Sequence, residues 1–181
     1  LSKTGALGNR TGVSFSTCTM GMLEMEQSFI ALKNGHGSDL SFAKSLSAGS
    51  IANEISCRYG FSGPVASFST ACSSSANALA CAFFWIRQGM CDAVVAGGSD
   101  SLCRLTYYGF QSLKVMSDTP CTPFDVNRKG MNIGEGAAVL LLESLESAKR
   151  RGSPVLAEVM GVGLSADAYH MSAPHPNGEG A

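Results

Sequence analysis

Charge is scarce in this sequence. Asp, Glu, Lys and Arg make up 15% of its 181 residues, the formal net charge is −1, and no dense basic run occurs. That excludes a nucleic-acid binder, whose affinity comes largely from neutralising phosphates. Long apolar runs are missing too: no stretch reaches the roughly 18 residues that a membrane span requires. Leu1–Arg10 is polar and glycine-containing, has no signal-peptide pattern and does not open on methionine, so it reads as the front of a fragment. There is no CxxC pair among the seven scattered cysteines, which argues against a disulfide framework or a zinc site and fits a reducing, cytoplasmic setting. Most of the thiols are expected to serve as small buried hydrophobes. No internal repeat or low-complexity segment breaks the chain.

Apolar residues make up 45%, enough for one packed core. Short apolar runs alternate with amphipathic stretches, the pattern of an α/β fold. Gly12–Ser16 reads as a strand, followed by a helix over 20–33 in which Met22, Met25, Phe29 and Leu32 share a face. A second helix is expected over 47–58. Val65–Thr70 reads as a strand leading into Cys72 and then a helix to about 88, closed by Gly89. Asp92–Ala96 reads as a buried strand broken by Gly97-Gly98. Residues 101–135 are rich in turns. Ala137–Leu142 reads as a strand, and the helix after it places Glu143 and Glu146 early and Lys149, Arg150 and Arg151 late, as the macrodipole favours. Val155–Val162 reads as one more strand, and 165–181 as loop.

Cys72 stands between a strand and a helix. Unpaired amides and the positive end of the helix dipole favour a thiolate there. Its neighbours Ala71, Ser73, Ser74 and Ser75 are small, leaving room for an acyl group and for backbone N–H donors to an oxyanion. The placement has the mechanics of a nucleophile elbow. The same residues equally suit a buried cysteine beside serine caps.

The segment Val65–Ser75, VASFSTACSSS, resembles the nucleophile segment of the β-ketoacyl synthases, condensing enzymes of fatty-acid and polyketide synthesis. Asp92–Asp100 (DAVVAGGSD), Pro123–Ala137 (PFDVNRKGMNIGEGA), Leu142–Gly152 (LESLESAKRRG) and Asp167–Met171 (DAYHM) resemble further blocks of that family in the same order. The resemblance implies a thiolase-like α-β-α-β-α fold, of which residues 1–181 would form a partial N-terminal domain cut at both ends. It implies decarboxylative condensation of an acyl thioester with malonyl-acyl carrier protein (ACP). Cys72 would be the nucleophile, and its own N–H one oxyanion donor. ACP would be a partner and a homodimer the assembly, with no cofactor and no metal.

The resemblance also implies roles for other residues. Phe110 matches an aromatic gate at the acyl pocket. Thr19 and Met20 match residues near its far end, where they are bulkier or more polar than the glycine-rich family version. Asp167 and His170 match a loop near the pantetheine entrance, and Lys114 a basic carrier-protein contact. Asp125 and Glu135 match acids that support the site without touching substrate; pairing with Arg128 or Lys129 would serve equally. The family's two catalytic histidine motifs, HGT and a later G-H, do not occur among these residues, whose histidines are His36, His170 and His175. The stretch alone is therefore expected to be inactive in condensation. A thiolase-type CoA-dependent acyltransferase and a non-catalytic subunit are the competing readings.

Overall fold

The computed structural model describes residues 7–37, 47, 49–171 and 173–180. Four strands form one mixed sheet: β1 (Thr11–Ser16), β2 (Val65–Phe68), β3 (Ala93–Asp100) and β4 (Gly136–Glu143), in the order β2-β1-β3-β4. β1 runs parallel to both β2 and β3, and β4 runs antiparallel to β3. Five helices accompany them: α1 (Met22–Lys33), α2 (Ser50–Tyr59), α3 (Ser74–Arg87), α4 (Arg104–Ser112) and α5 (Leu145–Arg151).

The central strand β1 explains the layering. Alternate side chains of a strand point to opposite faces. Val13 and Phe15 pack with Ala52 of α2, joined by Ile51, Ile55 and Phe61. On the other face, Gly12, Ser14 and Ser16 lie under α3. Their small size lets the helix come close: Ser14 Oγ donates to Ala78 O at 2.7 Å, and an added Cβ on Gly12 would meet the Trp85 ring. Ala82 of α3 packs with Cys91, Val94 and Ala96. Val13 and Val94 are fully buried, each worth about 1.5–3 kcal/mol relative to exposure.

Several elements differ from expectation. β3 does not stop at Gly97-Gly98 but runs through them to Asp100. The two glycines permit tight packing, since a Cβ on Gly97 would collide with Ala138 O and one on Gly98 with the Ser16 and Ser75 hydroxyls. Glu143 ends β4 instead of opening a helix; Ser144 is the N-cap, accepting from Ser147 N at 3.1 Å. The Glu143 side chain turns back to Arg151 at 2.6 Å. Residues 104–112 form a helix where only turns were expected. Val155–Val162 is not a strand: it pairs with no neighbour among the described residues, and Leu156 and Met160 are almost fully exposed. Without a ladder partner, the backbone groups of the run turn to water instead of a sheet. The helix α1 forms, but none of its residues is buried, and Met25, Phe29 and Leu32 of the expected face are exposed. Nor are most thiols buried. Cys91 and Cys103 are, whereas Cys18, Cys57, Cys72 and Cys121 are exposed.

The chain exposes 12517 Å², against about 8300 Å² for a typical monomer of its mass. Val139, Leu140, Phe124, Val126 and Leu156 contribute large apolar faces. Residues 1–181 on their own should therefore self-associate. Light scattering across a concentration series checks this, and a monodisperse monomer at high concentration would contradict it.

Candidate active site around Cys72

The carboxyl ends of β1, β2 and β3 converge on one edge of the sheet, the usual location of ligand sites in α/β proteins. Cys72 lies in a single 3₁₀ turn, Ala71–Ser73, that runs directly into α3. It is exposed in this chain. Ala71, just before it, has φ +54°, a left-handed conformation sparsely populated by residues other than glycine.

Ser74 locks this turn. It is 2% exposed, and its hydroxyl accepts from Thr70 N at 2.7 Å and donates to Ala71 O at 2.6 Å. Ser73 Oγ donates to Thr70 O at 2.8 Å, and Asn77 Nδ2 to Thr70 Oγ1 at 2.7 Å. The serines flanking Cys72 thus brace the strand-to-helix corner as well as being small.

Asp100, the last residue of β3, organises the facing loop. Its Oδ1 accepts from Cys18 N at 2.6 Å, Thr19 N at 2.8 Å, Thr17 Oγ1 at 2.9 Å and Thr19 Oγ1 at 3.1 Å. Burial pushes the carboxyl pKa up, but the Thr19, Cys18 and Thr17 donors outweigh it and hold the group below its ordinary value. A carboxyl depressed on folding stabilises above its unfolded pKa, about 3.9, and that stability is lost as pH falls through the lower folded pKa. Acid titration of thermal stability should show this loss below about pH 4, worth about 1 kcal/mol after discounting for partial exposure. Asp100→Asn should remove that component. An identical acid profile in the variant would refute it.

Thr19 and Met20 therefore stand on a loop pinned beside the Cys72 turn. Thr19 is buried, and Met20, at φ +47°, is partly exposed with its N–H on Thr17 Oγ1 at 2.9 Å. Phe110 is half-buried on α4. That helix is held by a residue the sequence did not single out: Glu26 of α1 accepts from Arg104 N at 3.0 Å and Leu105 N at 2.6 Å. Its carboxylate satisfies two amides that a helix start leaves unpaired. Glu135 accepts from Leu102 N at 3.1 Å, steadying the chain between β3 and α4.

Other candidates form local bonds. Asp125 Oδ1 accepts from Asn127 N at 2.7 Å, while Arg128 Nη1 reaches the Asp125 backbone oxygen at 3.0 Å. Asp167 Oδ2 accepts from His175 N at 3.0 Å, closing the tail on itself. His170 is exposed in the same tail, and Lys114 is exposed at φ +57° after α4. Asp100 and Glu26 are the positioning residues that sequence reasoning missed. An acid at the carboxyl end of a parallel strand was the available signal for Asp100; nothing local marks Glu26.

The site is thus a cysteine at a strand–helix corner of an α/β sheet, opposite a loop fixed by a carboxylate. The profile of the β-ketoacyl synthase N-terminal domain matches residues 1–148, and the chain belongs to the β-ketoacyl synthase family. It is 44% identical over 138 residues to 3-oxoacyl-[acyl-carrier-protein] synthase 2 of Rhizobium meliloti (strain 1021), covering 72% of this chain and 33% of that protein. A ketosynthase in complex with its chain length factor, from Xenorhabdus doucetiae, superposes with TM-score 0.80 at 35% identity over 99% of this chain and 43% of that one. A ketosynthase in complex with a type II polyketide acyl-carrier protein gives TM-score 0.73 at 31% identity, covering 81% and 40%. The fold is thus the thiolase-like one of ketosynthases. The chain spans about a third of the length of the curated relatives it matches.

Proposed function

We propose that the whole protein is a β-ketoacyl-ACP synthase, with Cys72 as its acyl-accepting nucleophile and residues 1–181 as part of its N-terminal domain. The observation that carries the reading is the exposed Cys72 at the β2–α3 corner, in a chain of this family. The thiolate attacks the thioester carbonyl of an acyl group on phosphopantetheine. The carbonyl carbon bonds to sulfur, its oxygen takes the negative charge, and collapse expels the pantetheine thiolate, which takes up a proton. Malonyl-ACP then loses CO₂, the resulting carbanion attacks the acyl-enzyme carbonyl, and as the new C–C bond forms the C–S bond to Cys72 breaks, releasing the β-ketoacyl-ACP and returning the Cys72 thiolate. The cysteine, in place of an inert residue, favours a condensing over a non-catalytic subunit.

Thr19, Met20 and Phe110 are proposed to line the acyl pocket, with Asp167 and His170 near the pantetheine arm. Asp125 and Glu135 act by fixing loops. An acyl carrier protein as partner is supported by the ketosynthase solved with its type II carrier protein, and a place in fatty-acid or polyketide synthesis by the names of the relatives. A dimer is the proposed assembly, a homodimer in this reading, with the ketosynthase–chain length factor pair as the alternative pairing. Among the described residues no helix is long and apolar enough to cross a membrane, and the cytoplasm is the proposed compartment. Incubation with an isotopically labelled acyl-ACP, followed by peptide mapping, tests the assignment. Label on the Cys72 peptide supports it; label confined to another residue would overturn it. Residues 1–181 alone are expected to stop at the acyl-enzyme, without condensation.

A further inference from the structure

Cys18 belongs to no motif quoted above, yet it touches the turn that carries Cys72. Asp100 holds its backbone N–H, and its Sγ donates to Ala71 O at 2.9 Å, 3.5 Å from Ser74 Oγ. Ser74 Oγ donates to the same Ala71 oxygen at 2.6 Å. One carbonyl thus accepts from two side chains on different elements. It belongs to a residue at φ +54°, a conformation that persists only where its surroundings enforce it.

The peptide joining Ala71 to Cys72 is planar and trans. Its oxygen and its N–H therefore point in opposite directions, and fixing the oxygen fixes the direction of the Cys72 amide. Hydrogen bonds to the oxygen also polarise the unit and strengthen that N–H as a donor. Desolvation by its neighbours raises the Cys18 pKa, although the residue as a whole is exposed, and the Asp100 carboxylate adds to the effect against a lowering bond from Ser74. The thiol accordingly stays protonated near neutral pH and remains a donor.

We propose that Cys18, together with Ser74, is a positioning residue that aims the Cys72 amide at the oxyanion formed during acyl transfer. The inference rests on Cys72 being the nucleophile. Cys18 itself makes and breaks no bond in the step; it acts through the Ala71–Cys72 peptide.

The test separates two reactions of one sulfur. Acylation by a thioester passes through an oxyanion and needs the amide, whereas alkylation by iodoacetamide is a direct displacement and does not. Both rates are measured at Cys72 by peptide mass in the complete protein carrying wild-type Cys18, Cys18→Ala or Cys18→Ser. Cys18→Ala should slow acylation about three- to tenfold, the loss of one net hydrogen bond, and leave alkylation unchanged. Cys18→Ser, which keeps a donor, should recover most of the acylation rate. Unchanged acylation in Cys18→Ala, or acylation and alkylation falling together, would overturn the positioning role. Absence of any acylation in the wild-type protein would instead defeat the nucleophile assignment, and this inference with it.

Discussion

Complete protein carrying Cys72→Ala should take up no acyl group from acyl-ACP, and the proposed condensation should slow on the order of 10⁴-fold, about 5 kcal/mol of lost transition-state stabilisation. The size of the effect follows from covalent catalysis: without the sulfur there is no acyl-enzyme for the carbanion to attack. Cys72→Ser fares little better, because a hydroxyl is a far weaker nucleophile than a thiol near neutral pH. Ala71 and Ser74 are retained in both variants, so the corner should keep its shape and far-ultraviolet circular dichroism should be unchanged. Retention of condensing activity in the alanine variant would end the assignment of Cys72 as nucleophile, however well the fold matched.

Glu143→Ala should be the most destabilising single change outside the hydrophobic core. Arg151 Nη2 and Nε reach the Glu143 carboxylate at 2.6 and 2.9 Å, and Ser147 Oγ donates to Oε1 at 3.1 Å. The bond from Glu143 holds the guanidinium pKa above its ordinary value. The two side chains are 11% and 7% exposed, yet they lie at the periphery with little protein beyond them. Removing the carboxylate takes two charge-assisted bonds from a covered guanidinium, a loss that costs several kcal/mol in a deep core and little at an open surface. The intermediate setting gives about 2 kcal/mol, read as a lowered urea midpoint at constant slope. The double variant Glu143→Leu, Arg151→Met should recover part of that loss, since the covered guanidinium is then replaced by an apolar side chain. A double variant less stable than Glu143→Ala would show that the pair contributes more than mutual neutralisation.

The parts of the fold legible in the sequence are those set by local periodicity. The extent of α3, the charge order of α5 and the turn glycines Gly89 and Gly152, at φ +70° and +66°, each depend on a few adjacent residues. Cys72 was legible for the same reason, since a strand, a turn of small residues and a helix lie in one continuous stretch. Failures arose where distant partners decide. Gly97 and Gly98 looked like a break because their lack of side chains is explained only by Ala138, Ser16 and Ser75. Val155–Val162 has the composition of a strand, but a strand exists only with a ladder partner. Glu143 looked like a helix-start acid, whereas its side chain answers to Arg151 one helix later. Within the candidate site, Asp100, Cys18 and Glu26 act across 53 to 83 positions of sequence; only Asp100 left a local sign, its place at the end of a strand, and that sign names none of its partners.

Glu26 has a mechanical consequence. A single carboxylate that accepts from two successive amides fixes a direction as well as a distance, so α4 is clamped at Arg104 and Leu105. At its other end, Leu113 is exposed and the chain turns away through Lys114 in the left-handed region. The root of the helix is thus seated on α1, and Phe110 stands in its last turn. Beyond it the chain is fastened again where Met131 N donates to Val115 O at 3.0 Å. Glu26→Gln, which keeps one of the two acceptor oxygens, would leave α4 anchored by a single bond at its root.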